Sequence, residues 1–194
     1  MRHPTLLARS DTVLVVIDVQ ESYRSVLHGW ERVVAATRTL LQGATLLHLP
    51  VLLTEQYPRG LGHTAAEITA LLPSTAAPIE KRTMSCCGAP AFVERLHALR
   101  RRQVLVAGIE THACINQTVH DLRAAGYDVH VARDATSSRR AADTEPAWDK
   151  MRSAGMLPTT SEQALLELVE TADAPEFKSL QKLLKEAPRS WSTT

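Results

Sequence analysis

Short runs of consecutive apolar, mostly β-branched residues recur along the chain, each followed by turn residues and then by a stretch with helical spacing. That alternation predicts parallel βαβ units. The first run, Val13-Leu14-Val15-Val16-Ile17, is apolar at every position, as a strand covered on both faces must be. Asp18 stands at its carboxyl end. Residues 30–42 place Val33, Val34, Thr37, Leu40 and Leu41 on one helical face, and Gly43 reads as the stop. Val51-Leu52-Leu53 predicts a second strand, and the Pro/Gly-punctuated segment 54–62 a loop leaving its carboxyl end.

A helix over 64–72 closed by Pro73, a short strand around Pro78-Ile79-Glu80 leading to Lys81, and a helix over 91–100 follow. The clearest unit is a strand over 103–107, the turn from Gly108 to Cys114, a helix to about Ala125 capped by Gly126, and a strand at Val129-His130-Val131. It is a complete crossover. Helices over 141–154 and 161–171 flank a short strand near 156–159, and 174–194 predicts an amphipathic helix with a frayed tail. The expected fold class is α/β, with one domain whose core spans about 11–170 and whose C-terminal helix and tail occupy 174–194.

A chain of 194 residues suits one large domain. Its 22 Lys+Arg against 21 Asp+Glu give no field that would favour nucleic acid or an anionic membrane. A small-molecule partner is expected instead. The three cysteines include the adjacent Cys86 and Cys87 and suggest neither a disulfide framework nor a spaced zinc site. With no apolar run of about 18 residues and no apolar leader in 1–12, the expectation is a soluble, cytoplasmic protein.

Three residues then stand out for chemistry. Asp18 ends a buried parallel strand, where ligands collect in open α/β sheets, although a turn cap fits that position equally well. Lys81 follows a short strand bound for the same edge; alone it would read as a solvated surface group. Cys114 opens a helix directly after a strand and turn, so the helix dipole is expected to favour its thiolate, with backbone N–H groups nearby for an oxyanion. The alternative for Cys114 is an inert buried thiol. His112 stands two residues before Cys114 and would point elsewhere once the helix begins, so it reads as a turn residue or pocket wall. Cys86 and Cys87 read as packing or spectator thiols.

Over 11–168 the chain resembles the isochorismatase-like cysteine hydrolases, the superfamily that includes nicotinamidases. The resemblance is carried by Val-Val-Ile-Asp-Val-Gln with its Asp18, by Glu80-Lys81, and by Val-Ala-Gly-Ile-Glu-Thr-His-Ala-Cys ending at Cys114, in order and spacing. The loop Thr-Glu-Gln-Tyr-Pro-Arg-Gly-Leu-Gly is similar to the isochorismatase-domain-containing branch of animals, protozoa and bacterial relatives. The resemblance implies a three-layer, Rossmann-like fold: a six-stranded parallel sheet with helices on both faces. It further implies an Asp18, Lys81 and Cys114 triad, a cis peptide between Ile109 and Glu110, and backbone donors of Glu110 and Cys114 as the oxyanion hole.

Departures from the family narrow the reading. Nicotinamidases carry a metal-binding Asp-x-His after the second strand, where this chain has Thr54-Glu55-Gln56 with His63 nearby. No metal and no organic cofactor are expected. Vinyl-ether hydrolysis of isochorismate does not need a thiol, so Cys114 points to amide or related acyl chemistry through a thioester. The alternatives are a vinyl-ether hydrolase and a scaffold whose inherited site is vestigial. Loop placement nominates Gln20, Tyr23, Tyr57, Leu61 and His112 as walls for a small, uncharged or weakly polar carbonyl compound. A homo-oligomer, dimer or larger, is expected from the family and from the apolar stripe Phe177-Leu180-Leu183-Leu184.

Overall fold

The computed structural model describes residues 2–73 and 75–187. Strands β1 (Thr12–Ile17), β2 (Val51–Gln56), β3 (Ile79–Lys81), β4 (Gln103–Ile109), β5 (Asp128–Ser137) and β6 (Leu157–Thr159) form one six-stranded sheet in the order β3-β2-β1-β4-β5-β6. Every neighbouring pair is parallel. The chain first builds outward from β1 to β2 and β3, then crosses back to lay β4 on the other side of β1. The carboxyl ends of β1 and β4 therefore frame the topological switch point, the crevice where open α/β sheets bind ligands.

Side chains leaving β1 alternate between the two faces. Leu14 and Val16 enter the core beneath α1 (Trp30–Leu46), with Ile68 of α3 (Ala66–Thr69), Leu165 and Leu168 of α7 (Ser161–Val169) and Leu180 of α8 (Phe177–Glu186). Val13, Val15 and Ile17 enter the opposite core with Phe92 and Leu96 of α4 (Pro90–Ala98), Val119 and Leu122 of α5 (Asn116–Ala124) and Trp148 of α6 (Thr144–Ser153). The result is the three-layer α/β architecture. Because both faces are covered, β1, β2 and β4 are buried along their whole length, which is why residues 13–17, 51–53 and 104–107 run apolar without alternation.

Four expectations are corrected. Helix α1 does not stop at Gly43 but runs to Leu46; a Cβ at Gly43 would lie 2.3 Å from Leu165 Cδ2, so this glycine admits α7 rather than ending a helix. The helix expected over 64–72 shrinks to α3, because Thr64 is drawn into a bridge with Gln20 and binds Glu55, while Leu71 and Leu72 close in tighter i→i+3 bonds. Cys114 does not open a regular α-helix. It lies in a π-helical turn, Thr111–Ile115, ahead of α5, a distortion found most often at functional sites.

The fourth correction concerns the C-terminal stripe. Leu180 is fully buried, and Phe177, Leu183 and Leu184 pack on the chain's own core. Leu180 is covered from within and the other three residues in part, so the stripe is not a wholly unpartnered face. The tail expected over 188–194 lies outside the described residues. No described helix is long and apolar enough to cross a membrane. The short α2 (Pro58–Leu61) is an element the sequence read as loop.

Candidate active site

Asp18 leaves β1 in the left-handed region, φ 53°, which Asp tolerates better than most residues. Its neighbour across the sheet holds it there: Asp18 N–H donates to the Thr54 carbonyl at 3.1 Å, and the Thr54 hydroxyl donates to Asp18 Oδ1 at 2.8 Å. The other carboxylate oxygen, Oδ2, faces Lys81 Nζ at 2.7 Å, with the two side chains 2% and 0% exposed.

Lys81 is the last residue of β3, on the strand two places from β1. Its ammonium also donates to Gln56 Oε1 at 2.7 Å and to the carbonyls of Thr83 and Met84 at 3.2 and 3.1 Å. Burial pushes this ammonium down, but Asp18, then the Cys114 and Cys86 thiols, hold it above the ordinary lysine value. The charged form of Lys81 is thus favoured over the neutral amine.

Cys114 is brought to this pair by β4. Gly108 allows the approach: its φ is 121°, and a Cβ there would stand 2.0 Å from the Ile17 carbonyl oxygen, so no other residue fits against the end of β1. The Ile109–Glu110 peptide is cis, and the Glu110 carbonyl then accepts from the N–H groups of Ala113 and Ile115. The Glu110 N–H itself donates to no described residue. The thiol is buried, with Met84 Sδ 4.0 Å from its sulfur.

Burial, and next the Asp18 carboxylate, push the Cys114 thiol up to about 12 against the opposing pull of Lys81. Both influences work against the dipole-stabilised thiolate that the helix start suggested. Removing a second anion from water beside Asp18 costs more than a distorted helix start returns. The Asp18 carboxylate lies within hydrogen-bonding reach of this sulfur.

The remaining nominated residues divide. Tyr23 is half-buried within Coulombic reach of Asp18, Glu110 and Cys114. His112 turns away from the sulfur: its Nδ1 lies 2.9 Å from Ser138 Oγ. Gln20 is not a pocket wall, because its amide is fully engaged, donating to the Gln56 and Gly62 carbonyls at 3.0 and 2.6 Å and accepting from Gln56 N–H at 2.8 Å. It fastens the 56–62 loop to the start of the 3-10 turn Glu21–Tyr23. Tyr57 is exposed, with the Arg82 guanidinium 4.2 Å above its ring, and Leu61 is partly buried in α2. Cys86 is fully buried with its sulfur 3.8 Å from Thr54 Oγ1; Cys87 is partly buried.

Glu55 accepts from Thr64 N–H and Oγ1, both at 2.7 Å, and lies 3.1 Å from His63 Nδ1. Its carboxylate is occupied by its own loop. No group of three or more His, Cys, Asp or Glu placed to hold a metal occurs among the described residues.

Sequence reasoning missed Thr54, Gln56 and Met84, which hold the carboxylate, the ammonium and the sulfur, and Arg139, whose backbone N–H and Nε both donate to Glu110 Oε1 at 2.9 and 3.0 Å. A signal existed for two of them. Polar Thr54 and Gln56 on a strand otherwise buried on both faces had to find partners at its end.

A doubly wound α/β protein with a carboxylate, an ammonium and a thiol gathered at its switch point is the class that fold and site define. The chain belongs to the isochorismatase domain family, whose model matches residues 12–163, and at the family level it stands among hydrolases. Isochorismatase domain-containing protein 1 of Salmo salar is 39% identical over 185 residues, covering 95% of this chain and 65% of that protein. This chain thus spans less than two thirds of that relative's length. Isochorismatase domain-containing protein 2 of Homo sapiens is 41% identical over 181 residues, covering 92% of this chain and 86% of its own. Among solved structures, the MAR1 ribonuclease of Caenorhabditis elegans superposes with a TM-score of 0.91 at 36% identity, over 97% of each chain.

Proposed function

We propose that this chain is a cysteine hydrolase that cleaves a small carboxamide or related acyl C–N bond through a thioester on Cys114. The observation that carries the reading is the buried Asp18–Lys81 pair at 2.7 Å set against a thiol at the switch point. Asp18 takes the proton from Cys114 as the sulfur attacks the acyl carbon, forming the S–C bond. The tetrahedral oxyanion accepts from the Glu110 and Cys114 backbone N–H groups. As the C–N bond breaks, Asp18 returns the proton to the leaving nitrogen. It then takes a proton from water, whose oxygen attacks the thioester; the C–S bond breaks, sulfur is reprotonated and the acid leaves. Lys81 remains charged throughout and stays paired with Asp18 Oδ2.

The test is a panel of small amides and esters screened for released acid, with the acyl adduct sought on Cys114 by mass spectrometry. Asp18→Asn should lower turnover by about 10²–10⁴-fold, measured at a temperature where circular dichroism shows the variant folded, since loss of the buried pair is expected to lower its melting temperature. Full turnover by Asp18→Asn or Cys114→Ser would overturn the mechanism. Release of fragments from RNA, abolished in Cys114→Ser, would instead favour the activity in the name of the C. elegans neighbour. A vinyl ether cleaved independently of Cys114, or an inert panel with a sluggish thiol, would favour the other two readings. We carry self-association forward as an expectation from the family alone, tested by sedimentation at micromolar concentration.

A further inference from the structure

Met84 joins the protein surface to the candidate nucleophile. It is 42% exposed, yet its Sδ lies 4.0 Å from Cys114 Sγ, where the thioether is a weak acceptor for the thiol. The backbone around it is clamped. Lys81 Nζ donates to the Thr83 and Met84 carbonyls at 3.2 and 3.1 Å, and Gln56 Nε2 donates to the Arg82 carbonyl at 3.0 Å. The Thr83 hydroxyl adds a bond to the Ser85 carbonyl at 2.8 Å. Residues 82–85 are thereby tied to the ends of β2 and β3, so a chemical change at the thioether is felt at the neighbouring sulfur instead of being relaxed by the loop.

Of the four methionines, Met1 lies outside the described residues, and Met151 and Met156 are 0% and 3% exposed in the core around Trp148. Met84 is the only exposed sulfur-bearing residue among those described. Oxidation of a thioether needs access but no loss of a proton, whereas a thiol reacts with peroxide as its thiolate. The thiols here are poorly prepared for that. Burial above all pushes Cys86 and Cys114 up to about 12, and it raises the half-buried Cys87 as well.

Resting on the hydrolase reading above, we propose that Met84 is a reversible oxidation site through which hydrogen peroxide slows the chemistry of Cys114. The Sδ lone pair attacks one peroxide oxygen, the S–O bond forms as the O–O bond breaks, and water leaves. Sulfur gives up the two electrons that the peroxide takes. The new oxygen stands one bond beyond Sδ, within reach of the thiol 4.0 Å away, and a sulfoxide oxygen is a stronger acceptor than a thioether. Asp18 also accepts from this thiol. The sulfoxide therefore competes with the base for the same proton, and its negative end disfavours the thiolate. A dithiol returns the thioether, closing to a disulfide as the oxygen leaves in water.

The test incubates the chain with dilute hydrogen peroxide, maps oxygen addition by peptide mass spectrometry, and measures iodoacetamide labelling of Cys114 before and after. The Met84 peptide should gain one oxygen ahead of the Met151 and Met156 peptides, and labelling should slow by about three- to tenfold. Methionine sulfoxide reductases A and B together, one for each sulfoxide epimer, should restore the rate with dithiothreitol as the dithiol. Dithiothreitol alone should not. In Met84→Leu, a swap of similar volume, peroxide should leave labelling at that variant's own starting rate. Earlier oxidation of Met151 or Met156, an unchanged or faster rate, recovery with dithiothreitol alone, a loss that the reductases cannot reverse, or an equal loss in Met84→Leu overturns the inference. Should Met84→Leu fail to fold, the mapping and the reductase rescue of the wild-type chain decide by themselves. Labelling needs no turnover, so an inert amide panel with a reductase-restored loss would sink the hydrolase reading and leave the oxidation site standing. An active hydrolase whose labelling ignores peroxide would do the reverse, and failure of iodoacetamide to label Cys114 at all would sink both.

Discussion

Lys81 Nζ sits 2.7 Å from Asp18 Oδ2, with both side chains closed to solvent. Two charges removed from water in this way are held by each other and by the groups around them: Thr54 on the carboxylate, Gln56 and two carbonyls on the ammonium. Such a pair contributes little net stability, but losing one partner is expensive.

Lys81→Met should therefore destabilise the fold by about 3–5 kcal/mol, since it leaves a buried carboxylate without its cation. Asp18→Asn/Lys81→Met removes both charges and should lie closer to wild type than the sum of the single changes. Urea midpoints at constant slope measure this. A Lys81→Met chain within about 1 kcal/mol of wild type would overturn the reading of this contact as a buried ion pair.

Cys114 reactivity should depend on Lys81 far more than on His112. Lys81→Met is expected to slow alkylation by iodoacetamide at neutral pH, Lys81→Arg to preserve part of the rate, and His112→Ala to have the smaller effect, since that ring is bonded to Ser138. The pH profile will belong to the Asp18–Lys81–Cys114 cluster and not to one group. The opposite ranking of the two variants would replace this arrangement with a cysteine–histidine pair.

Alkaline pH should weaken the fold through Cys86. Burial, then the charge of Asp18, push this thiol from 9.0 up to about 12. A folded value above the unfolded one means that stability is complete below the unfolded value. It is lost as pH rises toward the folded one, because the unfolded chain sheds its proton first. Between about pH 8 and about pH 10.5, wild type should lose more stability than Cys86→Ala. Parallel losses in the two chains would show that this thiol does not contribute.

Gly108→Ala should destabilise the fold by at least about 3 kcal/mol, because the new Cβ meets the Ile17 backbone at 2.0 Å and the φ of 121° is unsuited to a side chain. Gly126→Ala is the control. Its φ is also positive, but a Cβ there meets nothing within 4 Å, so the cost should be only about 1 kcal/mol. Thermal melts of the two variants compare a backbone collision with a conformational preference alone.

Dialysis against a chelator should leave the melting temperature and the Cys114 alkylation rate unchanged, since the Glu55 carboxylate is already held by Thr64 and His63. A loss restored by zinc or iron would show that this loop binds a cation.

The sequence by itself determined the layered α/β fold. A strand buried on both faces must be apolar at consecutive positions, and the 13–17 and 103–107 runs announce this without help from the rest of the chain. It also singled out Asp18, Lys81 and Cys114, because residue type at a strand end and the order of three motifs are local properties. Only the tertiary structure decided what depends on neighbours brought from elsewhere. Gly43 looks like a helix stop until Leu165 is seen pressed against it, and the Phe177–Leu184 stripe looks unpartnered until α8 is seen lying on its own core. Gln20 looks like a ligand until its amide is found clamping the 56–62 loop. The electrostatic surroundings of Cys114 could not be read from its place after a strand. Desolvation and the nearness of Asp18 arise from the packing of β1, β3 and β4 around one crevice, and no local pattern encodes the water that this packing removes.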